Sequence, residues 1–534
     1  MNFKKFQIYR SKEALVLINS DAFVKQWKQL AVGLPVYCRM QEADMLCLWF
    51  KHYSVVFEPV IFTAYNDSDE LVGFLGMAWN EKEQELRHAG HPQYFGWLAK
   101  PDYEVSFLQQ VFRKIRDEFP INKLLWSVIP PGLSLDVFES ALDSNMHMTC
   151  QETVSPMWDL SDPSRLKRLL KNKSIKSNFS KYRRRGDFRF EIIEEPDRLR
   201  KVLDIAKNQI DFRKEAMNNV LPFKSDPIKI GYYCEQITIP GTILPVALWL
   251  DEQLLSFNMG VMSDNYFQGR ITSFDPSEYR NSPGTLLFIR LSEYLTEKGF
   301  EVFDLTPGTN SYKDRFADKS VKLFKPTIHF STMGYQKTLI KKKLVKGSRR
   351  LLIDKLGLNI KSTRKWKTNI AELPQKIKKI GKSGTLINID KGMPLFKQPK
   401  LIHWKQSNIT PIHSELSKQV KIQQYEDLQK YQDTQPFLTR RGLLIDAQKK
   451  FAQGETLYSV SNDEKLLWYV WRKKVKGEIK YNNNTIPVPE DGVLIYDFYQ
   501  HSSLKGEEYI NNISEIIPIL DLQDVDNIYL LEGT

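Results

Sequence analysis

The chain has few of the residues that form disulfides, bind metals or cross membranes. Its 534 residues include only four cysteines and eight histidines. The cysteines show no close pairing along the chain, so we expect reduced thiols in a cytoplasmic protein. No apolar run reaches the roughly 18 residues of a membrane-spanning helix, and the first residues lack the apolar stretch of a secretory signal peptide.

Several catalytic motifs are also absent. The sequence contains no H-E-x-x-H, no C-x-x-C pair and no G-x-S-x-G, which removes support for a zinc enzyme or an α/β-hydrolase. The stretch KIGKSG resembles the end of a nucleotide-binding P-loop, but Lys376 occupies the position of the required earlier glycine. His88 and His91 have the spacing of metal ligands without an evident third ligand. We therefore expect no bound metal.

The positive charge is concentrated in two segments. The formal net charge is +13, and residues 337–382 hold 16 Lys or Arg against two acids. A second cluster, residues 165–189, holds 11 Lys or Arg against Asp187. Separated clusters favour specific contacts with anions, although a solvated helix face has the same composition. Within the first segment, IKKKLVKGSRRLLIDKL spaces its basic and apolar residues like an amphipathic helix. We therefore expect residues 337–382 to rest on an anionic membrane surface, on the inner face of the membrane.

Strand and helix signals recur three times in a similar order. The apolar runs EPVIFTAY, LVGFLGMAW and QYFGWLA begin the first series, and ILPVALWL, QLLSFNMGVMS and YFQGRITSFD begin the second. An incomplete third series begins with GETLYSV, KLLWYVWRKK and GVLIYDFYQH. Each series continues with a helix pattern and a further strand. The repetition predicts an α/β fold of tandem domains with mixed central sheets and flanking helices. We place the domains at 1–154, 155–336 and 401–534, with a basic linker at 337–400.

The second series contains an unusual corner, RNSPGTLLFIRL, before its helix. Ser282 is a suitable helix N-cap and Pro283 suits the first helical position. The N-terminus of a helix presents free backbone N–H groups and the positive end of a dipole, so it can bind an anion. The next strand ends at Asp304 and runs into TPGTNSYKDRF, which should border the same cleft because ligands bind at the carboxyl ends of such strands.

The stretch SFDPSEYRNSPGTLLFIRLSEYLTEKGFEVFDLTPGTNSYKDRFA resembles the CelD (cellulose-biosynthesis-protein) type of acetyltransferase. That type belongs to the GNAT superfamily of N-acyltransferases and is related to the FemAB peptidyltransferases. The resemblance covers about residues 155–330, including an arginine-rich entry helix, and implies a degenerate partner domain in 1–154. Asn281 stands where the family usually has an aromatic residue. The residues that match the family pattern are Phe274, Asp275, Pro276, Tyr279, Ser282, Pro283, Gly284, Leu286, Leu287, Gly299, Phe303, Asp304, Gly308, Tyr312 and Lys313.

The resemblance implies an acyl-CoA-dependent N-acyltransferase, with N-acetyl transfer as the expected case. The acceptor is expected to be an amine on a sugar or on another small or lipid-linked precursor of a surface polysaccharide, and nucleic acid is not an expected partner. In the superfamily the corner cradles the pyrophosphate of acetyl-CoA or another acyl-CoA. The implied binding residues are Arg280, Asn281, Ser282, Gly284 and Thr285, and the implied catalytic residues are Asp304, Tyr312 and Lys313.

Alternative interpretations remain at the level of sequence. A FemAB-like enzyme using aminoacyl-tRNA would place the RNA backbone on the basic clusters, but no basic strand rich in aromatics indicates base stacking. A non-catalytic scaffold of decayed acyltransferase domains fits the first and third series, which lack the Ser-Pro-Gly corner. Within the second series, Asp304 also fits a structural acid, Lys313 an anion-binding residue and Tyr312 a packing residue.

Overall fold

The computed structural model describes residues 3–32, 41–90, 93–308, 311–340, 400–408, 418–432, 438–481, 484–504, 513–520, 522 and 525–532. The chain forms two compact units. The first unit comprises residues 1–204, 226–272 and 284–358, and the second comprises 205–225, 273–283 and 359–534. Nearly all of the predicted basic helix in 337–382 lies outside the described residues.

The first unit begins with a small sheet that is covered on both faces. Strand β3 is buried along its whole length. One face packs on helix α4, where Gly73 lies against Phe107, and the other packs on α2 and α3, where Phe74 meets Phe23 and Gly76 meets Leu46. The strands, in spatial order, are β1 (Lys5–Arg10), β2 (Glu58–Tyr65), β3 (Leu71–Asn80) and β4 (Glu85–His88), with β5 (Leu98–Ala99) also on β3. The helices are α1 (Ser11–Ile18), α2 (Asp21–Ala31), α3 (Ala43–Tyr53), α4 (Glu104–Glu118) and α5 (Leu135–Ser140).

The predicted strand QYFGWLA is the main difference in this region. Only Leu98–Ala99 pair as a strand, because Phe95 and Trp97 are buried in an aromatic core around Trp126. The indole N–H of Trp126 donates to the carbonyl of Phe95 at 2.9 Å. Burial of large side chains therefore fixes this segment, and the sequence pattern alone did not distinguish it from a strand.

An eight-stranded mixed sheet forms the rest of the first unit. Its spatial order is β6-β13-β7-β12-β11-β10-β9-β8. Helices α7 and α10 pack on one face through residues such as Phe179, Tyr182 and Leu287. The strands are β6 (Lys123–Leu125), β7 (His147–Asp159), β8 (Phe188–Ile192), β9 (Ile243–Leu250), β10 (Gln253–Ser263), β11 (Tyr266–Phe274), β12 (Val302–Asp304) and β13 (Lys319–His329). The helices are α6 (Ser164–Lys171), α7 (Lys173–Arg185), α9 (Ile228–Gln236), α10 (Pro283–Glu297) and α11 (Ser311–Phe316). Helix α8 (Pro196–Asn218) begins in the first unit, and its residues from 205 onwards belong to the second.

The predicted domain ranges 1–154 and 155–336 do not coincide with these units. Strand β7 runs across residue 154 and pairs with β13 over eleven residues. Strand β13 also pairs with β6, so a strand from the predicted first domain joins the sheet of the second. These pairings link positions more than 150 residues apart, which local sequence patterns do not reveal.

The second unit contains a six-stranded sheet and a separate hairpin. The sheet order is β14-β21-β20-β17-β16-β15. Its first strand begins at Lys400, at the end of the predicted linker. The strands are β14 (Lys400–Lys405), β15 (Lys421–Ile422), β16 (Thr456–Ser461), β17 (Leu466–Val475), β18 (Glu478–Tyr481), β19 (Asn484–Pro487), β20 (Gly492–Gln500) and β21 (Asn527–Glu532). The helices are α12 (Tyr425–Gln429) and α13 (Arg440–Gln453), with 3-10 helices at Pro276–Asn281 and Ile513–Ile519.

The two units repeat one sheet topology. The order β14-β21-β20-β17-β16-β15 matches the order β7-β12-β11-β10-β9-β8 strand for strand. In each sheet one pair of strands is parallel and the register spans three residues: Tyr266–Gln268 with Val302–Asp304, and Val493–Ile495 with Ile528–Leu530. The predicted α/β fold with tandem units and a C-terminal copy is confirmed.

Candidate functional site

The parallel strands β11 and β12 separate after a short contact. Their pairing stops at Gln268 and Asp304, and the next backbone N–H, of Leu305, donates to Pro156 on β7. Beyond Gln268, β11 continues without β12. A sheet that opens between parallel strands joined by a crossover helix forms a crevice at their carboxyl ends. This crevice is the candidate site, and α10 is the crossover helix.

Asp304 lies at the closed end of the crevice and is 0% exposed. Its carboxylate accepts hydrogen bonds from the hydroxyls of Tyr94, Tyr266 and Ser155, the last at 2.8 Å. The backbone N–H of Thr306 donates a fourth, at 2.7 Å. Four donors compensate the cost of burying a charge. Asp304 therefore holds together β7, β11 and the segment between β4 and β5, and it presents no surface to solvent.

The turn after Asp304 is strained and tied from both sides. Thr306 has φ +70°, a left-handed conformation that is unfavourable for a β-branched residue. Lys313, 3% exposed, donates its ammonium hydrogens to the carbonyl of Thr306 at 2.7 Å and to that of Pro307 at 3.4 Å. Gly308, with φ +111°, donates its N–H to Val154 on β7. Asp304 and Lys313 thus fix one turn that borders the crevice.

The first turn of α10 has a cation beside it. The guanidinium of Arg315, on α11, donates to the hydroxyl of Thr285 at 3.3 Å. Helix α11 is held against α10 by Phe316, whose ring centroid lies 5.4 Å from that of Phe288. Arg165 caps the end of α11 by donating to the carbonyls of Asp314 and Arg315. The N-terminal turn of α10, with Gly284 and Thr285, therefore combines a helix dipole with an exposed guanidinium, an arrangement suited to an anion.

A buried amide adds an unsatisfied acceptor next to the crevice. Asn258 on β10 is 0% exposed, and its Nδ2 donates to the hydroxyl of Thr272 at 2.9 Å. Among the described residues no donor reaches its Oδ1. A Cβ on Gly269, the first residue of β11 beyond the pairing with β12, would lie 3.9 Å from the Asn258 amide and 3.6 Å from the Asp304 carbonyl. Buried acceptors are rarely left unpaired, so Oδ1 marks a place for a ligand N–H or a water.

The remaining predicted residues lie in different surroundings. Tyr312 is 41% exposed on α11, with its ring 6.1 Å from that of Phe288. Arg280, Asn281 and Ser282 belong to the second unit, whereas Gly284 and Thr285 belong to the first. Ser282 ends the 3-10 helix Pro276–Asn281 with φ +55°, which differs from the extended backbone expected of a helix N-cap. The assignment of Arg280, Asn281 and Ser282 to a cofactor site stays a prediction.

Sequence reasoning missed four members of the site. Tyr94 and Ser155 reach Asp304 across separations of 210 and 149 residues, and no local pattern marks them. Arg315 stands in the quoted stretch TPGTNSYKDRF, two residues after Lys313, so helical spacing could have placed it on the opposite side of α11 from the buried lysine. Tyr266 begins a predicted strand and was counted there only as a strand former.

The second unit lacks the polar cluster at the equivalent position. Its parallel pair joins Val493–Ile495 to Ile528–Leu530, and the residues of β21 in that pair are Ile528, Tyr529 and Leu530. No carboxylate takes the position of Asp304. Ile528 and Leu530 instead pack in an apolar core with Val493 and Ile495. The two sheets therefore share a topology but differ in the side chains buried at the parallel pair of strands.

The described residues offer no metal site and no membrane-spanning helix. No group of three or more His, Cys, Asp or Glu side chains among them is arranged to hold a metal ion. His88 is buried, with its ring stacked 3.5 Å from that of Phe95, and burial lowers the pKa of its imidazole. His91 lies outside the described residues. Within the same part of the chain, no helix is long and apolar enough to cross a bilayer.

Comparison with known proteins gives one family match and several remote structural likenesses. Residues 171–314 match the family model of an acetyltransferase (GNAT) domain. No curated protein matches the chain. Among solved structures, FemX is 9% identical (55% of this chain and 93% of FemX covered, TM-score 0.39), and a tandem GNAT protein from the clavulanic acid biosynthesis pathway is 12% identical (61% and 98%, TM-score 0.36). The C-terminal domain of a protein assigned as a lysylphosphatidylglycerol synthetase from Agrobacterium fabrum is 13% identical (60% and 95%, TM-score 0.38).

Proposed function

We propose that this chain, which contains a GNAT-type acetyltransferase domain in residues 171–314, transfers an acyl group from acyl-CoA to an amine. In this reaction the amine nitrogen forms a bond to the thioester carbonyl, the carbon–sulfur bond breaks, and the proton lost by the amine ends on the CoA thiol. No covalent intermediate with the protein is required. The observation that carries the proposal is the crevice between β11 and β12, with the N-terminal turn of α10 and Arg315 at its mouth.

The crevice suits a long ligand with a diphosphate and amide groups. The N–H groups of the first turn of α10, at Gly284 and Thr285, together with the guanidinium of Arg315, would bind the pyrophosphate of CoA. The unpaired Oδ1 of Asn258 would accept a hydrogen bond from an amide N–H of the pantetheine arm. The helix N-terminus and the guanidinium, which are both positive, would meet the charged pyrophosphate of CoA. The neutral amide of Asn258 would meet the neutral pantetheine arm.

The buried side chains of Asp304 and Lys313 would position the reacting atoms without contacting them. Asp304 and Lys313 both bond to Thr306 and so set the shape of the turn that borders the crevice. Tyr312 keeps an exposed phenol on α11 and is our candidate to pass a proton to the leaving thiolate. Asp304 has a full set of donors, so we assign it a positioning role in place of the predicted role as a base.

The direct test is release of CoA thiol from acetyl-CoA in the presence of amines. We expect release with amino sugars, and tenfold or greater loss of kcat/KM in Arg315→Gln, because one charge-assisted contact to a phosphate contributes about 1.5 to 3 kcal/mol. Lys201→Gln, which removes an exposed charge on α8, is the matched control and should retain full activity. Transfer from aminoacyl-tRNA without any release from acetyl-CoA would support the FemAB-like alternative and overturn the proposal.

We further propose that the acceptor is an amino group on a sugar or a lipid-linked saccharide, processed at the inner face of a membrane. The support is the sequence resemblance to the CelD type and the basic segment 337–382. Mass spectrometry of the products from amino sugars, diamines and amino acids distinguishes these acceptors. Acylation of amino acids or diamines alone would contradict the saccharide assignment and leave acyl-CoA dependence intact.

A further inference from the structure

The helices α6 and α7 form a strongly cationic surface on the first unit. Residues 164–185 contain ten Lys or Arg and no Asp or Glu. Nine of the ten cations are exposed, and we call these nine the α6–α7 cationic surface. They are Lys167, Arg168, Lys171, Lys173, Lys176, Lys181, Arg183, Arg184 and Arg185.

The sequence of α7 explains why the charge faces outward. Asn172 caps the helix by accepting hydrogen bonds from the N–H groups of Ser174 and Ile175. Ile175, Phe179 and Tyr182 then lie on one side and are buried in the core of the eight-stranded sheet. At 100° per residue, Lys173, Lys181 and Arg184 fall on the opposite side. The helix is about 20 Å long, so its cations extend along a substantial edge of the unit.

Four of the nine cations have no ion-pair partner in the part of the chain that the structure describes. They are Lys173, Lys176, Lys181 and Arg184. Repulsion between neighbouring like charges destabilises a helix. An anionic partner bound to this surface would reduce that repulsion.

The chemistry of the surface favours an anionic bilayer over a nucleic acid. Base recognition in single strands uses exposed aromatic rings, but the two aromatic residues of α7, Phe179 and Tyr182, are buried. Helix α7 also has no apolar side chains to insert into a bilayer or between bases, because its apolar side is part of the core. What remains is an extended set of flexible cations, which adsorb to anionic headgroups at about fivefold in affinity for each residue near the surface.

We propose that the α6–α7 cationic surface docks the first unit on an anionic lipid bilayer. This contact is separate from the predicted membrane contact of residues 337–382 and independent of catalysis. Helix α7 also packs on α10, with the guanidinium of Arg290 5.0 Å from the centre of the Phe179 ring. Docking through α7 would therefore place the helix of the candidate site close to the membrane.

The test is sedimentation of the full chain with vesicles at about 0.1 M salt, where charges remain partly unscreened. We expect binding to phosphatidylcholine vesicles that contain phosphatidylglycerol and none to phosphatidylcholine alone. The variant with Lys173, Lys176, Lys181 and Arg184 changed to Gln should bind at least tenfold more weakly. The control changes four exposed lysines elsewhere on the unit, and so removes the same charge. These are Lys12, Lys25, Lys82 and Lys201.

Each outcome decides the proposal. Equal weakening in both variants would show that only net charge matters and would overturn it. Unchanged binding in both variants would assign the membrane contact to residues 337–382 alone. Binding of the wild type to a short RNA duplex, with loss in the α7 variant and no vesicle binding, would identify a nucleic acid as the partner. Circular dichroism confirms that the variants remain folded.

Discussion

At the residue scale, the most informative side chain is Asp304. Its position at the end of an apolar strand was predicted from the sequence, and its four hydrogen-bond donors were not. Two donors come from Tyr94 and Ser155, which no local pattern connects to Asp304, so a buried acid and a catalytic base look alike in the sequence. The same limit applies to Lys313, whose burial follows from the helix it occupies and from the carbonyls that receive its hydrogens.

Replacement of Asp304 should therefore affect folding. Asp304→Ala leaves the hydroxyls of Tyr94, Tyr266 and Ser155 without their acceptor, and buried donors without partners each carry a penalty. We expect a loss of about 2 to 4 kcal/mol in the free energy of unfolding of the first unit, measured by urea titration. Asp67→Ala, at an exposed position, should change it by less than about 0.5 kcal/mol. Wild-type stability in Asp304→Ala together with lost acyl transfer would contradict a positioning role and return Asp304 to the list of bases.

At the element scale, the sequence predicts local pairs well and distant pairs poorly. Strands β9 and β10 have the predicted bounds because two residues join them, and Asp251 in that turn adopts φ +50°. Gly299, two residues after the end of α10, has φ +80°, the left-handed conformation that glycine favours after a helix. Strands β6, β7 and β13 pair across long separations, so their common sheet and the position of residue 154 within β7 could not be read from adjacent residues.

Helix α12 in the second unit provides a pH test. Burial, reinforced by the charges of Asp275 and Asp427, raises the pKa of Glu426 to about 7. Between the two pKa values the unfolded chain ionises this carboxyl while the folded state keeps it protonated, so each rise in pH favours unfolding. The second unit should therefore lose stability, on the order of 3 kcal/mol, as the pH rises from about 4.5 to 7.

Glu426→Gln should remove that loss. Thermal unfolding at pH 5 and pH 8 is the measurement, and the variant should be more stable than the wild type at pH 8 and no more stable at pH 5. Glu464→Gln, at an exposed position in the same unit, should follow the wild type at both values. Equal effects of Glu426→Gln at both pH values would show that Glu426 does not titrate in this range.

At the scale of the whole molecule, the chain repeats one topology with different interiors. The first unit has the Asp304 cluster where β11 and β12 separate, and the second has Ile528 and Leu530 in an apolar core at the equivalent pair. Repetition of elements was predictable from the order of apolar runs. The presence of a polar cluster in one unit and an apolar core in the other was not predictable, because the residues that surround Asp304 come from separate segments of the chain. We therefore expect the intact chain to bind one CoA.

Calorimetric titration of CoA into the full chain tests the proposed binding site at the first turn of α10. We expect binding with a stoichiometry near one in the wild type. Gly284→Val adds side-chain bulk at the first turn of α10, where backbone N–H groups must approach phosphate oxygens, so this variant should show no measurable binding. Gly231→Val, in helix α9 of the same unit, is the control and should bind like the wild type. Equal affinity of Gly284→Val and the wild type, or a stoichiometry of two, would contradict the site proposed at the mouth of α10.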